Sequence, residues 1–257
     1  MGQLPSLILA ANPMQEGQLN REPHGAVAHM AYRVESGPRL MRLNQRLPGQ
    51  GGLLYFSLEP GLPIRHTEAF CVQVLRECAA RRFQGVIADL PQGCDGLAEA
   101  LDRALVQRGL TLYLPECYHA QAPKARVLVS TAISGGSLRG RLAEALKHYG
   151  PDRTVAALER VAEDFVPPAR NGTGTSLSPQ DLAELRHRLR PNIYWSPELC
   201  ARYFTYFQSG GQAHFVLFDD PETLRAKLRL AGEVGVRRCL AAWEDLCPGP
   251  TDVPSQP

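Results

Sequence analysis

The feature that most constrains the fold of this chain is a repeated alternation between short apolar runs and longer segments of helical periodicity. This alternation is typical of parallel strands that are joined by crossover helices. The apolar runs that qualify as strands are residues 7–11, 26–32, 53–58, 85–89, 110–114, 127–132, 155–161 and 238–243. Because eight such strands in 257 residues suit one closed barrel, the sequence predicts an α/β fold of the (β/α)8 TIM type.

The alternation breaks between the seventh and eighth predicted strands, where the chain is too long for a single loop. Ser178 is a favourable N-cap for a helix over residues 179–189. Short strands are predicted at residues 193–195, 203–208 and 214–218, the last two joined as a hairpin around Gly210 and Gly211. We therefore predict one barrel domain over residues 1–247 with a small α+β insertion at 166–220, and a disordered tail over 248–257.

Composition and charge narrow the range of functions. Hydrophobic residues make up 44% of the chain and charged residues 21%, which is ordinary for a globular protein with a sizeable core. The formal net charge of +2 shows no basic excess that would favour nucleic acid, and no apolar run is long enough to span a membrane. The seven cysteines are irregularly spaced without a Cys-x-x-Cys pair, which predicts no metal, no cofactor and a reducing, cytoplasmic location.

The carboxylates that follow the predicted strands are the candidate reactive groups, because barrel active sites lie at the carboxyl ends of the strands. Glu59, Asp89, Glu116, Asp164 and Glu244 all occupy such positions, and Trp243 ends the eighth strand. Acids that transfer protons and a flat aromatic face suit a sugar-binding site. The alternative for each acid is a solvated loop residue or a helix cap.

A more specific resemblance lies in the second half of the chain. The resemblance rests on four segments, which are residues 176–178, the run from Ser196 to Tyr206, the run from His214 to Leu228, and the final Ala241-Ala242-Trp243-Glu244. This part resembles the C-terminal region of family 18 glycoside hydrolases, chiefly the chitinase-like enzymes of bacterial spores. Roughly the last hundred residues carry the likeness, whereas the first half shares only the layout.

The resemblance implies roles for several of these residues. Trp243 would form the floor of the central sugar subsite, although a core tryptophan that closes the barrel is the alternative. Residues 203–218 would form one wall of the groove. Together with Trp243, the substrate-binding residues implied are Asp89, Asp164, Tyr206 and Glu244.

The fourth predicted strand departs from the family pattern Phe-Asp-Gly-x-Asp-x-Asp-x-Glu. Phe83, Gly85 and Asp89 match this pattern, but Ile87 occupies the earlier Asp position and Pro91 occupies the catalytic Glu position. In the family, that Glu protonates the leaving oxygen while the acetamido carbonyl of the sugar attacks the anomeric carbon. Proline has no proton to donate, so Asp89 alone would not support the reaction.

We therefore expect a family 18-like barrel without glycosidase activity, which binds an N-acetylated glycan such as chitin or peptidoglycan or serves as a structural module, in the cytoplasm or associated with the spore. One alternative is an active glycosidase whose general acid has moved to Glu116 or Glu59. Another is an unrelated barrel enzyme that uses the ring of carboxylates. The sequence does not indicate the oligomeric state.

Overall fold

The computed structural model describes residues 4–15, 19, 25–35, 39–43, 49–62, 66–167, 174–208 and 210–246. The predicted barrel is confirmed within these residues, because eight parallel strands pair in a closed ring. In chain order these strands are β1 (Ser6–Ala11), β2 (Ala26–Glu35), β4 (Leu53–Ser57), β5 (Gly85–Asp89), β6 (Thr111–Pro115), β7 (Arg126–Ser130), β8 (Thr154–Leu158) and β14 (Arg238–Ala242). A short strand, β3 (Arg39–Arg42), adds antiparallel to the edge of β2.

The first strand closes the barrel by pairing with β2 on one side and with β14 on the other. Ile8 is in register with Ala26 of β2 and with Leu240 of β14. Alternate residues of each strand point inwards, because side chains in a strand alternate between its two faces. The inward layer is apolar and includes Ile8, Ile87, Tyr113, Val155 and Leu240.

Helices cover much of the outer surface of the barrel. They are α1 (Thr67–Arg81), α2 (Asp95–Val106), α3 (Leu138–Tyr149), α5 (Pro221–Val234) and α6 (Trp243–Leu246). Two buried clusters fill the space between strands and helices, one under α1 and α2 and the other under α3, α5 and α6. Among the described helices, none is long and apolar enough to cross a bilayer.

The connection from β6 to β7 contains only one 3₁₀ turn, Glu116–Tyr118, in place of a crossover helix. Tyr118, Ala122 and Ala125 of this connection are buried and belong to the core cluster under α1 and α2. The guanidinium of Arg153 holds the connection in place, because its nitrogens lie 2.8 Å from the carbonyl of Ala125 and 3.2 Å from that of Ala122. One side chain and an irregular loop thus replace a helix at this point.

The predicted insertion between the last two barrel strands is an α+β unit with its own sheet. Its strands are β9 (Ala162–Phe165), β10 (Thr175–Ser176), β11 (Tyr194–Ser196), β12 (Ala201–Phe207) and β13 (Ala213–Phe218), in the order β10-β9-β13-β12-β11. Helix α4 (Pro179–Leu189) covers one face of the sheet through Leu182 and Leu185. Ser178 caps α4 as predicted. The domain bounds 1–247 and 166–220 remain a prediction, and the tail 248–257 lies outside the described residues.

A buried ion pair fastens the insertion to the barrel. The ammonium of Lys227 on α5 lies 2.6 Å from a carboxylate oxygen of Asp219, and both side chains are fully buried. Lys227 also donates to the carbonyl of Thr131, which follows β7, at 3.0 Å. Asp219 in turn accepts from the backbone N–H of Val161 and the hydroxyl of Thr223. Charges without water are stable only when paired and hydrogen-bonded, and this network meets that condition.

The predicted carboxyl end of the seventh strand was wrong. It was predicted to run to residue 161, but β8 ends at Leu158. The backbone turns there, since the N–H of Glu159 donates to the carbonyl of Ala157, and the chain then enters β9 of the insertion. Periodicity did not reveal this turn because the apolar Val161 follows the two charged residues.

We expect Gly85→Ala to lower the free energy of unfolding by about 1–3 kcal/mol through overpacking. A Cβ at this position would lie 2.3 Å from the backbone oxygen of Thr111 and 3.1 Å from a side-chain atom of Leu53, on the two neighbouring strands. Gly135→Ala is the matched control, because a Cβ there meets nothing within 4 Å. Urea denaturation measures both, and equal effects of the two substitutions would contradict the prediction.

Candidate functional site

Asp89 and Tyr55 mark one side of the barrel mouth. Asp89 is the last residue of β5, two positions after the inward-facing Ile87, and its carboxylate is exposed. The hydroxyl of Tyr55, on the neighbouring strand β4, donates to Asp89 at 3.2 Å. Asp89 therefore lies where the sequence predicted, at the carboxyl end of the fourth barrel strand, with a neutral hydroxyl as its partner.

Glu159 and Ser130 mark another part of the mouth. Glu159 directly follows β8 and is exposed, and the hydroxyl of Ser130 at the end of β7 donates to its carboxylate. Glu159 was not among the predicted strand-end acids, because the predicted seventh strand extended past it. The alternation of β8 would have identified it, since Glu159 is two residues beyond Ala157 and four beyond the inward-facing Val155.

The pKa of the Tyr55 phenol is affected by the carboxylates in both parts of the mouth. Burial is the largest cause that raises the pKa of the Tyr55 phenol well above its ordinary value. The negative charge of Asp89, its hydrogen bond, and the negative charge of Glu159 raise it further. Tyr55 consequently stays protonated and acts as a hydrogen-bond donor to Asp89.

Ile87 and Pro91 are the residues that the sequence analysis predicts to replace two acids of the family 18 pattern. Ile87 is fully buried in the inward layer of the barrel. Pro91 lies in the loop after β5, where its carbonyl accepts a hydrogen bond from the hydroxyl of Tyr118. The same hydroxyl lies 3.1 Å from the backbone nitrogen of Cys94, which precedes α2. The loop after β5 is thus anchored to Tyr118 through the backbone of Pro91 and Cys94.

The other two candidate acids do not join Asp89 in a hydrogen-bonded cluster. Glu116 forms an ion pair with Arg141 of α3 at 2.8 Å and accepts from the hydroxyl of Tyr149 at 3.1 Å, so its carboxylate is engaged on the helical layer. A cavity of about 460 Å³ lies beside it, lined by residues of α3. Glu59 is exposed beyond the end of β4, and no side-chain hydrogen bond of it is found among the described residues.

Trp243 begins α6 and is only 5% exposed. It packs in the outer cluster together with residues such as Leu9, Leu224 and Leu246. A sugar ring needs an uncovered indole face, so a stacking role for Trp243 requires a rearrangement that exposes it and remains a prediction. Glu244 is exposed next to it.

Asp164 and Tyr206 lie together, but in the insertion. The carboxylate of Asp164 accepts from the hydroxyl of Tyr206 at 2.7 Å and lies 3.0 Å from Nδ1 of His214. These side chains share the sheet face that α4 covers, beside a cavity of about 740 Å³. Asp164 and Tyr206 are thus near each other, while Asp89 and Trp243 belong to other parts of the structure.

The opposite face of the insertion sheet carries a row of aromatic rings. Tyr194, Tyr203, Phe215 and Phe165 come from four adjacent strands, with successive ring centroids 5.5, 5.2 and 6.1 Å apart. The row is most open at Tyr194, which is 51% exposed. Tyr203 and Phe215 pack in one cluster with Ala132, which follows β7, so this face adjoins the carboxyl end of the barrel. We call these four residues the aromatic row.

Comparison with solved structures identifies the fold. The chain is similar to a chitinase from Chromobacterium violaceum, with a TM-score of 0.64 and 15% identity over 94% of this chain and 95% of the other. It is also similar to the spore cortex-lytic enzyme SleL of Bacillus megaterium, with a TM-score of 0.60 and 15% identity over 95% of this chain and 71% of the other. A third similar structure is YKL-39, solved in the presence of chitooligosaccharides, with a TM-score of 0.59 and 11% identity over 94% of this chain and 93% of the other.

This chain has the fold of the chitinase-like barrels. No protein-family model and no curated protein sequence matches it. At these identities the likeness establishes the fold, and function has to be argued from the site itself. In the part of the chain that the structure describes, no group of three or more His, Cys, Asp or Glu side chains is arranged to hold a metal ion.

Proposed function

We propose that this protein binds an N-acetylated glycan of the chitin or peptidoglycan type without cleaving it, along the barrel mouth and the aromatic row. The observation that carries the proposal is the exposed ring of Tyr194, which is 51% exposed and ends a row continued by the partly buried Tyr203 and Phe215 and the buried Phe165, beside the carboxyl end of the barrel. Ring faces of this kind pack well against the apolar faces of pyranoses, while hydroxyl and carboxylate groups at the mouth accept and donate hydrogen bonds.

The absence of cleavage follows from the chemistry of the fourth barrel strand. Family 18 hydrolysis needs a proton donor at the position of Pro91, next to the carboxylate that orients the acetamide, which Asp89 would supply; the earlier Asp of the pattern is replaced by Ile87. Neither Pro91 nor Ile87 carries an ionisable group, so Asp89 stands without the two acids that accompany it in the family pattern. A bound glycan would therefore be held but not protonated at the glycosidic oxygen.

The alternative of an active glycosidase requires a displaced general acid. Glu116 is a poor candidate for this general acid. A general acid must reach the glycosidic oxygen, whereas the carboxylate of Glu116 is bound by Arg141 and Tyr149. Glu59 is exposed and makes no such contact with the residues that the structure describes, so it is the stronger of the two candidates. Turnover that is abolished by Glu59→Gln would favour this alternative.

Calorimetric titration with a tetramer of β-1,4-linked N-acetylglucosamine and with peptidoglycan fragments tests the proposal. We expect binding without release of shorter products. Tyr194→Ala should weaken binding about tenfold, since stacking and burial of one ring are worth roughly 1.5 kcal/mol. Trp195→Ala is the matched control, because Trp195 is similarly exposed, at 44%, but points to the other face of the sheet. Absence of binding to every glycan would overturn the proposal.

We also propose a reducing location with a role in the spore. The six cysteines in the described residues are free thiols, which agrees with a reducing compartment. The link to sporulation rests on the similarity to a spore cortex-lytic enzyme. Expression of the protein during sporulation, followed by microscopy of a tagged copy, would test this.

A further inference from the structure

Two arginines, Arg126 and Arg238, point into the barrel at its amino-terminal end, opposite the mouth. Each is the first residue of its strand, β7 and β14 respectively. On β14, Cys239 lies in the outer cluster and Leu240 among the inward apolar residues, so the alternation of the strand directs Arg238 inwards. The guanidinium carbon of Arg126 lies 5.2 Å from the ring centroid of Tyr113, which also faces inwards. Both cations therefore lie at the base of the apolar interior.

The strand pairing brings the two arginines into one layer of side chains. Inward side chains of such barrels form layers of four, which alternate strands contribute. The layer at the base comes from β2, β5, β7 and β14 and consists of Ala26, Gly85, Arg126 and Arg238. Strands β7 and β14 both pair with β8, so their backbones are about 10 Å apart, which is twice the spacing of neighbouring strands. Two long cations thus share a layer in which the other two residues have a methyl group or no side chain.

The charges of this pair are not neutralised within the described part of the chain. No ion pair between described residues includes Arg126 or Arg238. Nη1 of Arg126 donates to the neutral hydroxyl of Tyr113 at 2.5 Å. Nη1 of Arg238 is buried and has no hydrogen-bond partner among the described residues. Because a buried donor on a charged group is costly when it has no acceptor, this nitrogen indicates an acceptor from outside the chain.

The chemistry of two guanidinium groups favours a phosphate as this acceptor. The planar fork of a guanidinium donates two parallel hydrogen bonds to a phosphate group. Two such groups carry two positive charges, which a phosphate dianion neutralises and a single carboxylate or chloride does not. The exposed carboxylates Asp89 and Glu159 follow the carboxyl ends of their strands, so they lie at the other end of the barrel from this anion.

We infer that the amino-terminal end of the barrel binds one phosphate group between Arg126 and Arg238, either as the free ion or as part of a phosphate monoester. This site is separate from the barrel mouth and does not depend on the proposed glycan binding. The amino-terminal end of such barrels serves stability rather than catalysis. A phosphate bound only by the folded state should therefore stabilise the barrel.

Calorimetric titration of the full chain with inorganic phosphate tests the inference, at constant ionic strength and at a pH where the ion is a dianion. We expect one phosphate per chain, and a rise of about 5 °C in melting temperature at a phosphate concentration about a hundred times the Kd. Arg126→Met and Arg238→Met should each weaken binding at least about tenfold, because each removes hydrogen bonds from a charged donor. Methyl phosphate, titrated in parallel, distinguishes the two sources. Equal affinity indicates the phosphate group of a larger molecule, and binding of the inorganic ion alone indicates the free ion.

Arg237→Met is the matched control, because Arg237 directly precedes Arg238 but is 60% exposed and is paired with Asp152 at 2.7 Å. This variant should keep both the affinity for phosphate and the rise in melting temperature. Phosphate also stabilises proteins in general because it is excluded from their surfaces, so a thermal response that survives in both Met variants at the base would overturn the inference. Absence of stoichiometric binding to the unsubstituted chain would overturn it as well. Circular dichroism in phosphate-free buffer checks that each variant folds, and either Met variant alone is sufficient for the test.

Discussion

Lys227→Met is expected to lower the free energy of unfolding by about 3–5 kcal/mol, because it leaves the carboxylate of Asp219 buried without a counter-charge. The loss is large because Asp219 is fully buried, so water cannot replace the missing ammonium. Chemical denaturation with urea measures the change. The effect should reach the barrel as well as the insertion, since Lys227 also holds the carbonyl of Thr131.

Two further variants give this prediction its controls. Arg139→Met breaks an exposed pair with Glu233, whose side chains are 57% and 55% exposed, and should change stability by less than about 1 kcal/mol. The double variant Lys227→Met with Asp219→Asn removes the orphaned charge and should recover part of the loss. Identical stabilities of the single and double variants would contradict the assignment of the loss to a buried, unpaired charge.

Ile87→Asp, which introduces one of the acids of the family pattern, is expected to destabilise the protein by about 3–5 kcal/mol rather than to restore activity. Ile87 is fully buried in the inward layer of the barrel, among side chains such as Ile8 and Val155. Ile87→Val is the matched control and should cost only about 1 kcal/mol, because it keeps the site apolar. Thermal unfolding distinguishes the two.

The pH dependence of Ile87→Asp provides a second measurement. Burial would raise the pKa of the introduced carboxyl above its unfolded value of about 4. The unfolded chain then loses its proton first, so stability should fall as the pH rises from about 4 towards the folded-state pKa, by up to roughly 1.4 kcal/mol per unit. A destabilisation that is independent of pH would mean that the new carboxyl reaches water, and that the mouth is deeper than the structure indicates.

Much of the fold could be predicted from the sequence because it depends on periodicity and local caps. The eight apolar runs all correspond to barrel strands, and the helix Pro179–Leu189 has the predicted bounds. Predictions of this type succeed where one residue pattern decides one element. They fail where a strand ends in a turn that contains no glycine or proline. The turn at Glu159, directly after Leu158, is such a case.

The candidate site was harder to predict, because it depends on which face of an element each side chain occupies. Asp89 could be placed at the mouth from the strand pattern alone. Glu159 was hidden by the error in the strand end, and Trp243 lies on the outer side of the barrel in the structure. The aromatic row combines residues from four strands, including Phe165 and Tyr194, which are 29 positions apart in the numbering. Such a row exists only once the strand order is known.

The short connection between β6 and β7 has a consequence for the way the barrel moves. A crossover helix is held by its own hydrogen-bond ladder, whereas residues 119–125 are held by the buried Ala122 and Ala125, by the carboxylate of Asp102, which accepts from the N–H of Lys124, and by the guanidinium of Arg153, which also lies 3.4 Å from the carbonyl of His119. We expect this part of the wall to open more readily than the paired strands, so that its amide hydrogens exchange with solvent sooner than those of β6 and β7. Within the described barrel wall, we therefore expect the connection between β6 and β7 to unfold locally before the neighbouring strands do.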